Sequence, residues 1–138
     1  MSTSNQMVME LLRLGTYLQR EGARISREFE LTQQQFVILV VIKNQGPISQ
    51  KEILSDLLYE KSNVSKSITR LTSLGMVKTS KEKKDSRVVM CEVTDKGRDV
   101  VKKCMKTMKT WNEKWLEQIS DTDLKQMVKT LSSIGAMK

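Results

Sequence analysis

Apolar residues recur at three- and four-residue spacing along most of this chain, and the pattern divides it into helices. Over residues 6–29, Val8, Leu11, Leu12, Leu18, Ile25 and Phe29 form a broad stripe, with Arg13, Arg20, Arg24 and Arg27 elsewhere. That predicts a long first helix. Gly15 and Gly22 weaken it locally and are expected to permit close helix packing. Thr32 is a good N-cap for a second helix over 33–44, whose centre VILVVI is apolar nearly all round and so predicts a buried element. Gly46 and Pro47 stop it. Ser49 and Glu52 make a capping box that opens a third helix through about residue 59, with Ile53, Leu54, Leu57 and Leu58 on its core face.

A short turn leads into SNVSKSITRLTSLG. Here Val64, Ile68 and Leu71 recur at i, i+4 and i+7, one side of a helix, while Ser62, Ser65, Lys66 and Thr69 stand on the opposite side. Asn63 and Arg70 flank that polar face. Small hydroxyl side chains and one cation let such a helix enter a groove closely. Gly75 ends it. Residues 76–79 and 88–93 are rich in β-branched types and are joined by KEKKDSR, which predicts a two-stranded hairpin with a basic tip. Cys91 and Val93 share one face of it and Glu92 the other. Thr94 caps a fifth helix over 95–118. Ser120 and Asp123 form another capping box before a last helix ending near residue 134, striped by Leu124, Met127, Val128, Leu131 and Ile134.

Helix, tight turn, helix and charged hairpin is the layout of a winged helix-turn-helix. The fold class is therefore mainly α with a small β-hairpin wing. Residues 31–94 are expected to form the DNA-binding region, with 1–30 and 95–138 a helical dimerisation region of the same compact chain. So small a centre does not cover the apolar faces of the outer helices. A second copy of the chain is the economical cover, and it would set two reading helices about one DNA turn apart.

Charge sharpens this picture. The net charge is +8, but residues 61–109 hold fourteen Lys or Arg against five Asp or Glu, while the remainder is nearly balanced. The excess lies around the reading helix and loop, which points to a polyanion partner; the bland alternative is a solvated surface. Lys81, Lys83 and Lys84 are candidate phosphate contacts. Aromatic side chains for base stacking are scarce, which disfavours a single-stranded partner. The rival classes are a winged-helix protein that binds another protein and a non-specific architectural nucleic-acid binder.

The chain contains no His, no glycine-rich phosphate loop and no nucleophile elbow, so the usual catalytic sets are missing and no enzyme is expected. Asp121 and Asp123 suit a helix N-terminus better than a catalytic pair. Two cysteines without a histidine do not make a zinc site, and neither metal nor cofactor is implied. Cys91 and Cys104 read as buried thiols in a reducing compartment; the other reading is a redox sensor, since Lys102, Lys103 and Lys106 would lower the Cys104 pKa if it were exposed. The longest apolar run, 36–42, is far short of a membrane span, and the first fifteen residues lack a secretory h-region, so a cytoplasmic protein is expected. Trp111 and Trp115, one turn apart, read as core or dimer packing, or with Tyr17, Met105 and Met108 as part of a pocket for a small lipophilic effector.

Three segments together resemble the MarR-type winged-helix regulators. LTQQQFVIL matches that family's Leu-Thr-x-x-Gln at Leu31, Thr32 and Gln35. SNVSKSITRLTSLGMV matches its recognition helix and Gly-hydrophobic-Val at Gly75, Met76 and Val77. KKDSRVVMCEVTDKG matches its wing, Asp-x-Arg followed by a strand and Thr-x-x-Gly, at Asp85, Arg87, Thr94 and Gly97. The resemblance covers nearly the whole chain. It implies a homodimer that binds double-stranded DNA at a pseudo-palindromic operator, often as a repressor, and often with release by a small phenolic or other lipophilic ligand. It also implies a recognition helix in the major groove, Arg87 in the adjacent minor groove and Asp85 holding that arginine or the wing. The chain departs from the pattern at Lys66, where arginine is frequent, and at Thr69, where an acid is common, so no base preference is carried over. The first-helix cysteine of the peroxide-sensing branch is absent.

Overall fold

The computed structural model describes residues 1–57 and 59–136. They form α1 (Thr3–Arg27), α2 (Gln33–Gln45), β1 (Ile48–Ser49), α3 (Gln50–Asp56), α4 (Lys61–Ser73), β2 (Val77–Lys81), β3 (Val89–Val93), α5 (Asp95–Trp115) and α6 (Asp121–Ala136). The expected mainly helical winged helix-turn-helix is present, in two compact units, Met1–Lys106 and Thr107–Lys138.

The first unit is built around α2. Its Phe36, Ile38, Leu39 and Ile42 are buried, as an apolar helix without a polar face requires. Thr32 and Gln35 close a capping box at its start, with Gln35 N–H to Thr32 Oγ1 at 3.1 Å and Thr32 N–H to Gln35 Oε1 at 3.0 Å. Against α2 pack α1, through Ile25, α4, through its buried stripe of Val64, Ile68 and Leu71, and β3. Gly22 is buried where α1 meets α2, and a Cβ there would fall 2.4 Å from Gln33 Nε2. At Gly15, by contrast, an added Cβ would meet nothing within 4 Å among the described residues.

Several elements differ from expectation: α1 spans Thr3–Arg27 rather than 6–29, and α5 ends at Trp115 rather than at 118. The hairpin is the larger part of a three-stranded antiparallel sheet of order β1-β3-β2, because Ile48 and Ser49 pair with Cys91 and Met90. A two-residue strand shows no periodicity, so only its partner reveals it. The third helix, expected to reach about residue 59, ends at Asp56, because Leu57 turns extended at φ −113° and ψ 140°. Leu58 of its expected core face lies outside the described residues. The Ser49–Glu52 capping box is formed.

In the wing, Val77 pairs with Val93, Thr79 with Cys91 and Lys81 with Val89. Cys91 and Val93 face the core and Glu92 faces out, as the alternation predicts. Cys104 is also buried, on the inner side of α5, with Lys102, Lys103 and Lys106 on exposed positions. Burial pushes both thiols up to about 11, with Glu28 adding to the rise at Cys104. The lowering considered for Cys104 required an exposed thiol; here the thiol is buried and desolvation raises it.

The second unit comprises the end of α5 and all of α6. Trp111 and Trp115 stand with ring centroids 5.7 Å apart, and Trp115 Nε1–H donates to Asn112 Oδ1 at 3.1 Å. At the start of α6, Asp123 N–H donates to Ser120 Oγ at 3.1 Å, and Asp121 and Asp123 lie in the first turn. The α6 stripe of Met127, Val128, Leu131 and Ile134 is exposed.

Candidate nucleic-acid interface

The amphipathic division of α4 sorts its residues as the spacing requires. Ser62, Asn63, Ser65, Lys66, Thr69 and Arg70 are all exposed, while Val64, Ser67, Ile68 and Leu71 are buried. The polar face is thus a continuous outer surface held by one apolar stripe on α2. Thr69 spends its hydroxyl hydrogen on the Ser65 carbonyl at 3.1 Å, which leaves its oxygen outward as an acceptor. Glu60 is the N-cap and makes no side-chain cap bond, so the first-turn amides of α4 are without the usual side-chain oxygen.

The wing tip is organised around Asp85. Its Oδ1 accepts from the Arg87 backbone N–H at 3.0 Å and from Arg87 Nε at 3.2 Å, and its Oδ2 accepts from Arg87 Nη2 at 3.4 Å. These bonds hold the Asp85 carboxyl below its usual value, the backbone bond contributing most. The Val88 N–H donates to the Asp85 carbonyl and Glu82 N–H to the Val88 carbonyl, closing the loop back onto the strands. The Arg87 side chain stays 90% exposed. An arginine aimed outward by its own neighbour is pre-arranged for an external anion. Lys81, Lys83 and Lys84 are exposed beside it.

Lys51 and Lys61 join this surface and were not singled out in the sequence. An open hollow of about 490 Å³ between the starts of α3 and α4 and the base of the wing is lined by Lys51, Leu54, Lys61, Arg87, Val88 and Val89. Each lysine sits at the opening turn of a helix, which was the available signal; their convergence on Arg87 is a tertiary fact. Three cations from three elements therefore border one concavity beside the polar face of α4.

Of the residues grouped for an effector, Tyr17 lines a shallow hollow with Arg13, Leu14, Thr16 and Arg20 in the first unit. Met105 is exposed on α5, and Met108, Trp111 and Trp115 are partly buried in the second unit. Among the described residues no cluster of three or more His, Cys, Asp or Glu is placed to hold a metal ion, and no helix is long and apolar enough to cross a membrane.

Comparison with known proteins decides the family. A family model described as transcriptional regulator SarA/Rot matches residues 23–104, from the end of α1 through the wing to α5. The chain belongs to the SarA/Rot family of transcriptional regulators. That family comprises regulators rather than enzymes. Among relatives of this SarA/Rot-family chain is the HTH-type transcriptional regulator BilQ of Clostridioides difficile, 25% identical over 112 residues, which are 81% of this chain and 76% of BilQ. The fold is that of MarR-family regulators. A MarR-family regulator from Rhodococcus sp. RHA1 superposes with a TM-score of 0.88 at 20% identity, over 96% of this chain and 94% of the other. CouR from Rhodococcus jostii RHA1, solved with p-coumaroyl-CoA bound, superposes with a TM-score of 0.84 at 20% identity, covering 96% and 94%. The expected MarR-type winged-helix architecture is thus confirmed, and the protein is a DNA-binding transcriptional regulator.

Proposed function

We propose that this SarA/Rot-family protein is a cytoplasmic homodimer that binds a pseudo-palindromic operator in double-stranded DNA and represses transcription from it. The observation that carries the reading is the exposed polar face of α4 beside a wing arginine aimed by Asp85, within the one stretch of the chain that holds its excess positive charge. In this reading Ser62, Asn63, Ser65, Lys66 and Thr69 face base edges in the major groove. Thr69, with its proton already donated, accepts from a base amino group and is unsuited to a phosphate. Arg70, Lys81, Lys83 and Lys84 take phosphates, joined by Lys51 at the capped start of α3 and by Lys61 at the start of α4, where amides without a side-chain cap also favour an anion. Arg87 enters the minor groove, whose negative potential favours a guanidinium.

The dimer is supported by the apolar residues left exposed on α1 and on α6, considered separately, because each needs a cover that its own unit does not supply. The reading includes release by a small lipophilic ligand. Met108, Trp111 and Trp115 on one helix offer thioether and aromatic surface for it, and CouR is a structural neighbour with a CoA thioester bound.

Fluorescence anisotropy with a duplex from the gene's own upstream region, a scrambled duplex and a salt series tests this. The expected preference is about a thousandfold or more with a steep salt slope. Lys66→Ala should cost roughly 1–3 kcal/mol on the operator and relax preference, whereas Lys83→Ala should weaken all duplexes alike and lower the salt slope by about one. Equal, weak binding to both duplexes by the parent would replace this reading with a non-specific architectural one.

A further inference from the structure

The C-terminal end of α4 is fastened to the start of α5 by side chains that the DNA-facing surface does not include. The helix closes with Leu74 N–H on the Arg70 carbonyl, Gly75 N–H on the Thr72 carbonyl and Met76 N–H on the Leu71 carbonyl, each at 3.0 Å. Gly75 supplies the left-handed residue this closure needs, at φ +74°. Beyond Ser73, the carbonyls of Leu74 and Gly75 are met by side chains from the start of α5 and the residue just before it. Lys96 Nζ donates to the Leu74 carbonyl at 2.6 Å, and Thr94 Oγ1 donates to the Gly75 carbonyl at 2.6 Å. The same Thr94 oxygen accepts from Gly97 N–H at 3.1 Å, so one hydroxyl ends α4 and begins α5. The Lys96 stem covers the space above Gly75, its Cδ 3.9 Å from where a Cβ would stand.

We infer that Lys96 is a positioning residue for DNA reading, fixing the angle at which α4 presents its polar face; the inference rests on the reading of α4 proposed above. The stripe of Val64, Ile68 and Leu71 packs α4 on the core, where it meets α2, α3 and β2, and none of these contacts ties its C-terminal end to α5. The α4 N-terminus lacks a side-chain cap, so it adds little restraint. An ammonium at the last turn does two things: it satisfies a carbonyl and places a cation at the negative end of the helix dipole. Its anchor is twenty-two residues away in sequence, on a different helix, so the bond fixes α4 against α5 rather than merely within itself. Base contacts demand side chains held within about half an ångström, and a roll of a few degrees moves Lys66 and Thr69 by more than their hydrogen bonds tolerate.

Lys96→Met keeps the stem and removes the donor, and Lys96→Arg keeps both charge and donor. Amide hydrogen exchange without DNA should show residues 70–76 exchanging about three- to tenfold faster in Lys96→Met and at the parent rate in Lys96→Arg. In anisotropy, the operator-to-scrambled preference should fall roughly tenfold in Lys96→Met, with scrambled-duplex affinity and salt slope unchanged. Unchanged exchange would overturn the fastening itself. Equal loss on both duplexes with a salt slope lower by about one would make Lys96 a phosphate contact instead. Faster exchange in Lys96→Met alongside a parent that shows no operator preference would overturn the positioning role through failure of the α4 reading, with the fastening left standing.

Discussion

Cys91 and Cys104 show how completely a neighbourhood read along the chain is overruled by the side of the helix or strand a residue occupies. Both are buried, and desolvation raises both thiols to about 11. The neutral thiol is the form the fold prefers, so the unfolded chain, whose thiols ionise near their ordinary value, gives up protons first as pH rises. Each thiol's contribution to stability is then whole below about pH 9 and is lost between about 9 and 11, by something on the order of 2–3 kcal/mol per thiol. Urea midpoints at pH 8, 9.5 and 11 measure this. Lysines titrate in the same window, so the quantity to compare is the difference in pH slope between the parent and Cys104→Ala. The parent should fall more steeply. Equal slopes would mean that water reaches the thiol. The same burial predicts that a thiol reagent at pH 8 modifies Cys104 only as fast as the structure opens.

At the scale of elements, the junction of β3 and α5 is the tightest place in the wing. A Cβ on Gly97 would lie 2.2 Å from the Met76 carbonyl oxygen and 2.7 Å from Val93 Cγ2. Backbone does not yield as a side-chain tip does, so Gly97→Ala has to displace the first turn of α5 and is expected to cost roughly 1–3 kcal/mol. Gly22→Ala is the control: the nearest atoms to its Cβ belong to the Gln33 side chain, which can swing away, and alanine's helix propensity offsets the disturbance by up to about 1 kcal/mol. Thermal melts should separate the two variants by several degrees, and similar melting points would show that the strand-to-helix junction is loose. The glycine was legible in sequence as part of a Thr-x-x-Gly signature; the reason for it, a carbonyl pressed against its Cα, belongs to the packing. The same division runs through the whole reading. Long helices with a stripe, the N-cap at Thr32 and the capping box at Ser49 are local patterns, and each was legible; the Asp85–Arg87 pair was implied by the family resemblance, and the Gln35 half of the Thr32 capping box was not noticed. The strand β1 was not, because Ile48 and Ser49 become a strand only by pairing with Cys91 and Met90. The end of α3 was missed because the apolar period continues through Leu57 after the backbone has turned extended. Lys51 and Lys61 escaped notice because their relation to Arg87 exists only once three elements meet.

At the scale of the whole molecule, the apolar residues exposed on α1 and on α6 call for a cover. On α1, Val8 is 53% exposed and Leu12 62%; on α6, Val128 is 63% exposed and Leu131 49%. Full burial of a single such side chain is worth about 1.5–3 kcal/mol, so a handful on each chain supplies the driving force for a stable pair once the cost of association is met. Leu131→Glu puts a carboxylate on the α6 stripe at an already exposed position, where it should leave the folded chain intact and oppose association. Sedimentation equilibrium should give a dimer for the parent and a shift toward monomer for Leu131→Glu, with unchanged far-ultraviolet circular dichroism. Operator affinity should fall with it, because two reading helices on a twofold axis bind as one unit and a single one loses the effective concentration that its partner supplies. The affinity loss should shrink as protein concentration rises toward the variant's own dimerisation constant, which a direct effect on DNA contact would not do. A monomeric Leu131→Glu that binds the operator as tightly as the parent would separate assembly from recognition and leave each α4 reading its site alone.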